Sequence, residues 1–167
     1  DIHTVSMHHE MAAAIAAEGY ARASENIGVA MATSGPGATN LITGIGSCYF
    51  DSIPCLFITG QVNTYEYKFN KPVRQIGFQE TDIVRIIKPI VKHAVLVKEP
   101  EDTQKILEKS IVTAKMGRPG PVLLDFPLDI QRSIMELHSF RKFHPAKVVI
   151  PDEKIILDPG VGFGKSV

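Results

Sequence analysis

A carboxylate follows two imidazoles near the start of the chain, in the run His8-His9-Glu10. The residues after it are rich in alanine and free of proline, which favours a helix with Glu10 in its first turn. An acid at that place is also a common structural feature, because it interacts well with the helix dipole. The helix is nearly all apolar, so we expect it to be buried and Glu10 to be partly buried. Burial would raise the pKa of the carboxyl group, which suits proton transfer.

A second unusual segment is the run TSGPGATN at residues 33–40, which follows a short apolar stretch. Two glycines around a proline predict a tight turn with exposed backbone N–H groups at the start of a helix. Such a turn can approach a ligand closely. It is neither a GxxxxGK[ST] phosphate loop nor a GxGxxG loop. An ordinary connection between a strand and a helix is the alternative interpretation.

A third candidate region combines two short polar segments. Gly60 and Gln61 follow an apolar run, and Phe78, Gln79 and Glu80 lie beyond a long polar stretch that we expect to be a functional loop. Solvated loop glutamines are the alternative, since glutamine is mostly exposed in proteins.

Apolar runs and helix-forming runs alternate along the chain, which predicts a doubly wound parallel α/β sheet in three layers. Ligands bind such sheets beyond the carboxyl ends of the strands. The pattern ends near residue 132, so we expect one domain at 1–132 and a linker with an irregular tail at 133–167. We predict strands at 2–7, 27–32, 55–59, 90–97 and 121–126, and helices at 8–23, from 33–40 to about 50, at 81–87 and at 100–115.

The composition excludes several classes of protein. Lys+Arg and Asp+Glu both number 18, so the chain lacks the net positive charge typical of nucleic-acid binding. No apolar run reaches the roughly 18 residues that cross a membrane. Cys48 and Cys55 lie in apolar surroundings, and we expect two buried thiols rather than a disulfide. We see no secretory leader and expect a cytoplasmic location.

Six motifs in one order extend the interpretation over residues 2–132. Together they resemble the N-terminal pyrimidine-binding domain of the acetolactate synthase branch of thiamine-diphosphate enzymes, which has a Rossmann-like fold. The motifs are HHE before the alanine-rich EGYARA helix, ATSGPGATN, DSIPCLFITGQV, GFQETDI, IIKPIVKH and GRPGPVLLDFPLDIQ.

The resemblance implies a role for each candidate. Glu10 would hydrogen-bond the ring nitrogen of the cofactor's aminopyrimidine and promote the imino form that removes a proton from the thiazolium. Phe78, Gln79 and Lys92 would face the substrate channel. The residues implied to bind the cofactor are Glu10, Thr33, Ser34, Gly35, Pro36, Gly37 and Asn40.

The resemblance also implies what this chain lacks. The family's domain begins with a further strand and helix, and its magnesium motif, GDG…N, belongs to a separate diphosphate-binding domain. In the family the cofactor lies between subunits. We therefore expect a homodimer or tetramer acting on a small 2-oxo acid, Mg²⁺ bound outside this chain, and no activity from the chain alone. A flavin is compatible with the family, but no residue here supports one.

Two other interpretations are compatible with the sequence. One is a non-catalytic α/β module that binds a partner chain through its alanine-rich face. The other is a related thiamine-diphosphate lyase or hydrolase of a sugar or capsule pathway, since the loop at 63–75 departs from acetolactate synthase. The tail IILDPGVGFGKS is similar to a pterin-site segment of dihydropteroate synthase, but we interpret this short match as an irregular glycine-rich end.

Overall fold

The computed structural model describes residues 2–145 and contains one parallel sheet with helices on both faces. Every neighbouring pair of strands is parallel, and the spatial order is β1-β2-β4-β3. This confirms the predicted doubly wound α/β fold. The strands are β1 (Gly28–Ala32), β2 (Cys55–Gln61), β3 (His93–Leu96) and β4 (Val122–Pro127).

The helices connect these strands. One predicted helix ending near residue 50 is in fact two, separated at Leu41. Short 3₁₀ segments occur at Thr64–Glu66, Lys88–Ile90, Pro100–Asp102 and Leu137–Ser139. The α-helices are α1 (Glu10–Ser24), α2 (Pro36–Asn40), α3 (Ile42–Phe50), α4 (Ile83–Ile87), α5 (Thr103–Lys115) and α6 (Leu128–Gln131).

The core lies on both faces of the sheet. On one face, Phe57 and Leu123 pack with Ala14 of α1 and Ile45 of α3. On the other face, Leu56, Val122 and Leu124 pack with Ala114 of α5. Because both faces of β2 and β4 are covered, their sequences are continuous apolar runs rather than alternating patterns.

Two expectations about the first part of the chain are wrong. Residues 2–7 form no strand, and Ile2 and Val5 are largely exposed. β1 is an edge of the described sheet and does not pair with them, and β-branched composition without a partner does not make a strand. Helix α1 is not buried all round, as we expected, but on one face only. Ile15 is 50% exposed and Tyr20 is 56% exposed.

Other expectations concern the thiols and the end of the domain. Cys48 and Cys55 are free and buried, as predicted. No helix in the described part of the chain is long and apolar enough to cross a membrane.

Beyond residue 132, the backbone N–H groups of Arg141 and Phe143 donate to Glu101 O and Glu108 Oε2, both at 2.9 Å. The IILDPGVGFGKS segment lies outside the described residues.

Candidate functional site

Most of the candidate segments meet at the carboxyl edge of the sheet. Thr33 and Ser34 directly follow β1, Gln61 ends β2, and Pro127 ends β4. Residue pairing brings Gln61 opposite Pro127, so these strand ends are neighbours. Parallel strands with crossover helices place such ends beside the beginnings of helices, and this is where α/β sheets bind ligands.

Glu10 is the first residue of α1, which begins two residues later than predicted. His9 precedes it as the N-cap, and its Nδ1 accepts a hydrogen bond from Met11 N at 3.2 Å. The amide Nδ2 of Asn40, the last residue of α2, donates to Glu10 Oε2 at 3.0 Å. Two sequence segments that lie 30 residues apart therefore meet through one hydrogen bond.

The charge state of Glu10 differs from the sequence expectation. The hydrogen bond from Asn40 is the main reason why the pKa of the Glu10 carboxyl group is lowered, and its own backbone N–H adds to this effect. Burial opposes the shift but is too small to reverse it. The expectation of a raised pKa is therefore wrong for this chain, because an amide donor stabilises the charged form of a side chain that solvent still reaches.

The turn at 33–40 needs both of its glycines. Gly35 has φ 63° and ψ −125°, a conformation that other residues avoid. A β-carbon on Gly35 would lie 2.8 Å from Cβ of Gln79, and one on Gly37 would lie 2.7 Å from Cγ2 of Thr33 and 3.3 Å from Glu10 Oε1. The turn is therefore packed between the Glu10 carboxylate on one side and the Gln79 segment on the other.

Phe78 and Gln79 project from a segment that is held by Glu80. The two carboxylate oxygens of Glu80 accept hydrogen bonds from Lys68 N at 2.8 Å and Ile76 N at 2.7 Å. Gln79 has a positive φ of 59°, and Phe78 is 82% exposed. The predicted irregular loop is thus an ordered segment that presents two side chains at the sheet edge.

A cleft of about 680 Å³ lies beside these groups, on the face of the sheet that α5 covers only in part. Its lining does not include Glu10 or Asn40, so it lies next to the Glu10–Asn40 pair rather than over it. The residues of the candidate segments that line the cleft are Thr33, Ser34, Gly60, Gln61 and Phe78.

Lys92 is not brought to the other candidates. It directly precedes β3, at the amino edge of the sheet, and its Nζ donates to the carbonyl oxygens of Thr113 and Met116 at the end of α5. Partial burial lowers the pKa of this lysine. A cation that satisfies the last carbonyls of a helix has a structural role. Lys92 and Gln79 therefore lie apart in this chain, and the substrate-channel role of Lys92 stays a prediction.

Sequence reasoning missed a buried carboxylate in β4. Asp125 is fully buried and accepts hydrogen bonds from Thr59 Oγ1 at 2.7 Å and from Gln61 Nε2 at 2.9 Å. Burial raises the pKa of Asp125 to about 7, although both hydrogen bonds oppose the shift. The sequence signal that could have indicated this buried carboxylate is the single acidic residue in the apolar run PVLLDF. In the described part of the chain, no three His, Cys, Asp or Glu side chains are grouped as metal ligands.

Comparison with known proteins agrees with the motif order. The family described as "Thiamine pyrophosphate enzyme, N-terminal TPP binding domain" matches residues 1–86, just over half of the 167 residues. The acetolactate synthase of Arthrospira platensis is 50% identical over 125 residues, which cover 73% of this chain and 20% of that protein. Isozyme 3 large subunit of the Escherichia coli K12 acetolactate synthase is 48% identical over 126 residues, covering 75% and 21%.

A third relative gives the same result. The probable acetolactate synthase large subunit of Methanocaldococcus jannaschii is 42% identical over 154 residues, covering 92% of this chain and 25% of that protein. The chain thus spans a fifth to a quarter of the length of these relatives. Homology to enzymes favours a cofactor-binding domain over a stand-alone partner-binding module. The chain belongs to the thiamine pyrophosphate enzyme family, as an N-terminal TPP-binding domain homologous to acetolactate synthase large subunits.

Proposed function

We propose that this chain forms the pyrimidine-binding half of a thiamine-diphosphate site, in which Glu10 exchanges a proton with the aminopyrimidine ring. The hydrogen bond between Asn40 Nδ2 and Glu10 Oε2 carries this proposal. It fixes the direction of one carboxylate oxygen and joins two motifs of the family in one place. Gly37 has no β-carbon, which would otherwise lie 3.3 Å from the other oxygen, Oε1.

These residues fit the proposed cofactor. An aminopyrimidine offers ring nitrogens, which accept a hydrogen bond or take up a proton, and an exocyclic amine, which donates hydrogen bonds. Its flat ring also needs close contact with the backbone. Glu10 supplies a carboxyl group that can share a proton with a ring nitrogen, and Gly35 and Gly37 supply a backbone surface without β-carbons. When bound, thiamine diphosphate supplies an acidic thiazolium carbon that can become a nucleophile toward 2-oxo acids.

Within this site the residues of the chain have distinct tasks. Glu10 Oε1 would hold and return a proton at the ring nitrogen, while Asn40 holds Oε2 in place. An ionised carboxylate takes up a proton more readily when its surroundings raise its pKa. We therefore infer that covering Glu10 by the cofactor removes water from the carboxylate and raises its pKa from the lowered value of the chain alone.

The other candidate residues complete the proposal. Thr33, Ser34, Gly35 and Pro36 would contact the cofactor through the turn, and Phe78 and Gln79 would face the substrate. Lys92 is not part of this proposal, because its Nζ donates to backbone carbonyls at the end of α5.

The activity of the whole protein is a further part of the proposal. Its relatives are four to five times as long as the matched region, and those named here are acetolactate synthases. We infer decarboxylation of a small 2-oxo acid and transfer of the product to a second carbonyl group. Mg²⁺ and the diphosphate would be bound outside this chain, at the interface of a cytoplasmic homodimer or tetramer.

Calorimetric titration of the protein that carries this chain with thiamine diphosphate and Mg²⁺ tests the proposal. We expect the Glu10→Gln variant to bind the cofactor but to turn over 2-oxo acids about 100-fold more slowly or worse, because the amide keeps the shape and cannot relay a proton. Glu101→Gln, at the start of another helical segment, is the matched control and should keep the wild-type rate. Absence of cofactor binding, or a wild-type rate for Glu10→Gln, would contradict the proposal.

A further inference from the structure

The segment that carries Phe78 and Gln79 is fixed on both sides. Before it, Gly77 N donates to Glu66 O at 2.9 Å. After it, the carbonyl oxygen of Thr81 accepts a hydrogen bond from Gln61 Nε2 at 2.7 Å. The first contact is local, whereas the second joins the segment to the last residue of β2. The Thr81 contact therefore sets the position of the segment relative to the sheet.

The side-chain amide of Gln61 is fully used. Its Nε2 donates to both Thr81 O and Asp125 Oδ2, and its Oε1 accepts from Val62 N at 3.0 Å. Gln61 is only 5% exposed. Because both N–H groups and the carbonyl have partners, the amide has one orientation in which no buried polar atom is lost.

Asp125 and Thr59 hold the Gln61 amide in this orientation. Thr59 and Asp125 are paired residues of β2 and β4. The Thr59 hydroxyl donates a hydrogen bond to Oδ1 of Asp125, the carboxylate oxygen that Gln61 does not contact. All three side chains are buried and belong to the two central strands of the described sheet. The network thus connects the centre of the sheet to the segment at its edge.

We propose that Gln61 is a positioning residue, which through Thr81 holds Gln79 against the Gly35 turn at the edge of the sheet. Cβ of Gln79 comes within 2.8 Å of the place where a β-carbon on Gly35 would lie, so a small shift of Thr81 would separate the two segments. The functional consequence rests on the proposed function, in which this turn faces the cofactor and Gln79 faces the substrate.

Hydrogen exchange of the protein that carries this chain tests the positioning without any cofactor. In Gln61→Met, which keeps the side-chain length but removes the amide, amides of residues 76–80 should exchange about tenfold faster, as expected for loss of a buried hydrogen bond. Amides of β4 should change less than about twofold, which separates local loosening from general loss of stability. Gln104→Met, at a surface glutamine bonded to Glu108 within α5, is the control and should leave residues 76–80 unchanged.

Two further variants keep the test decisive. Gln61→Asn has a shorter amide that can reach Asp125 or Thr81 but not both, so it should also loosen residues 76–80 if Gln61→Met does not fold. The side chain in Asp125→Asn can still accept a hydrogen bond from Gln61 and donate one to Thr59. The amides of residues 76–80 should therefore exchange as slowly in this variant as in the wild type. Unchanged exchange at 76–80 in folded Gln61→Met and Gln61→Asn overturns the inference.

A kinetic measurement connects the positioning to substrate. We expect Gln61→Met to raise KM for a 2-oxo acid about tenfold with a much smaller change in kcat and in thiamine-diphosphate affinity, as for lost ground-state binding. A fall in kcat with unchanged KM overturns the substrate-side assignment. If the wild-type protein binds no thiamine diphosphate, the proposed function fails, and the exchange experiment still decides whether Gln61 positions the segment.

Discussion

Two carboxylates near the carboxyl edge of the sheet lie in opposite environments. Glu10 begins a helix, is reached by solvent and accepts an amide hydrogen bond, and its pKa is lowered. Asp125 lies within β4, is fully buried and accepts two hydrogen bonds, yet its pKa is raised to about 7. Both have good donors, so hydrogen bonding alone does not explain the difference.

Loss of water decides between the two cases. Removing a carboxylate from solvent costs more than two neutral donors return, so the protonated form of Asp125 is favoured. At Glu10 the same kind of donor acts on a carboxylate that loses little water, so the hydrogen bond outweighs desolvation and the pKa is lowered. The comparison teaches that the chain alone keeps its proposed catalytic acid ready to accept a hydrogen bond. Under the proposed function, a raised pKa of Glu10 would come from the cofactor that covers it.

The largest expected effect is the pH dependence that Asp125 gives to stability. Its folded pKa, about 7, exceeds the ordinary value of 3.8, so the folded state binds more protons than the unfolded state between these pH values. The stability it contributes is therefore present below about pH 4 and is lost as pH rises to about 7, by up to about 4 kcal/mol. Glu10 has the opposite sign, since its contribution is lost as pH falls through its lowered pKa.

Asp125→Asn isolates this effect. We expect the difference in unfolding free energy between the variant and the wild type to move in favour of the variant as pH rises from about 4 to about 7 and to be constant above. Urea denaturation at several pH values measures it. Parallel curves for the two proteins across this range would show that Asp125 is not the buried titrating group.

Much of the fold could be predicted because its strands are continuous apolar runs separated by glycine and proline. The position of Glu10 followed from one local pattern. The partnership of Gln61 with Asp125 did not, since the two residues lie 64 apart and nothing local marks a contact. The place of Lys92 at the amino edge could not be predicted either, because the order of motifs along a chain does not say at which edge of the sheet each one lies.

The next effect in size tests the packing around Glu10. Gly37→Ala adds a methyl group 2.7 Å from Thr33 Cγ2 and 3.3 Å from Glu10 Oε1. We expect a loss of about 1–2 kcal/mol in unfolding free energy, as is typical of overpacking. Gly19→Ala is the control, since no atom lies within 4 Å of its new β-carbon and it lies inside α1. It should gain about 0.5–1 kcal/mol. Equal effects of the two variants would argue against close packing at Gly37.

The smallest expected effect concerns the single contact on which the comparison of the two carboxylates depends. Asn40→Ala removes the donor that contributes most to the lowered pKa of Glu10, so that pKa should rise toward its ordinary value, while the pKa of Asp125 stays the same. NMR titration of the side-chain carboxyl carbons measures both groups in one sample. Asn26→Ala, at an exposed asparagine after α1, is the control and should move neither. If Asn40→Ala leaves the pKa of Glu10 unchanged, the amide does not hold the carboxylate in solution, and the orientation proposed for Oε1 loses its support.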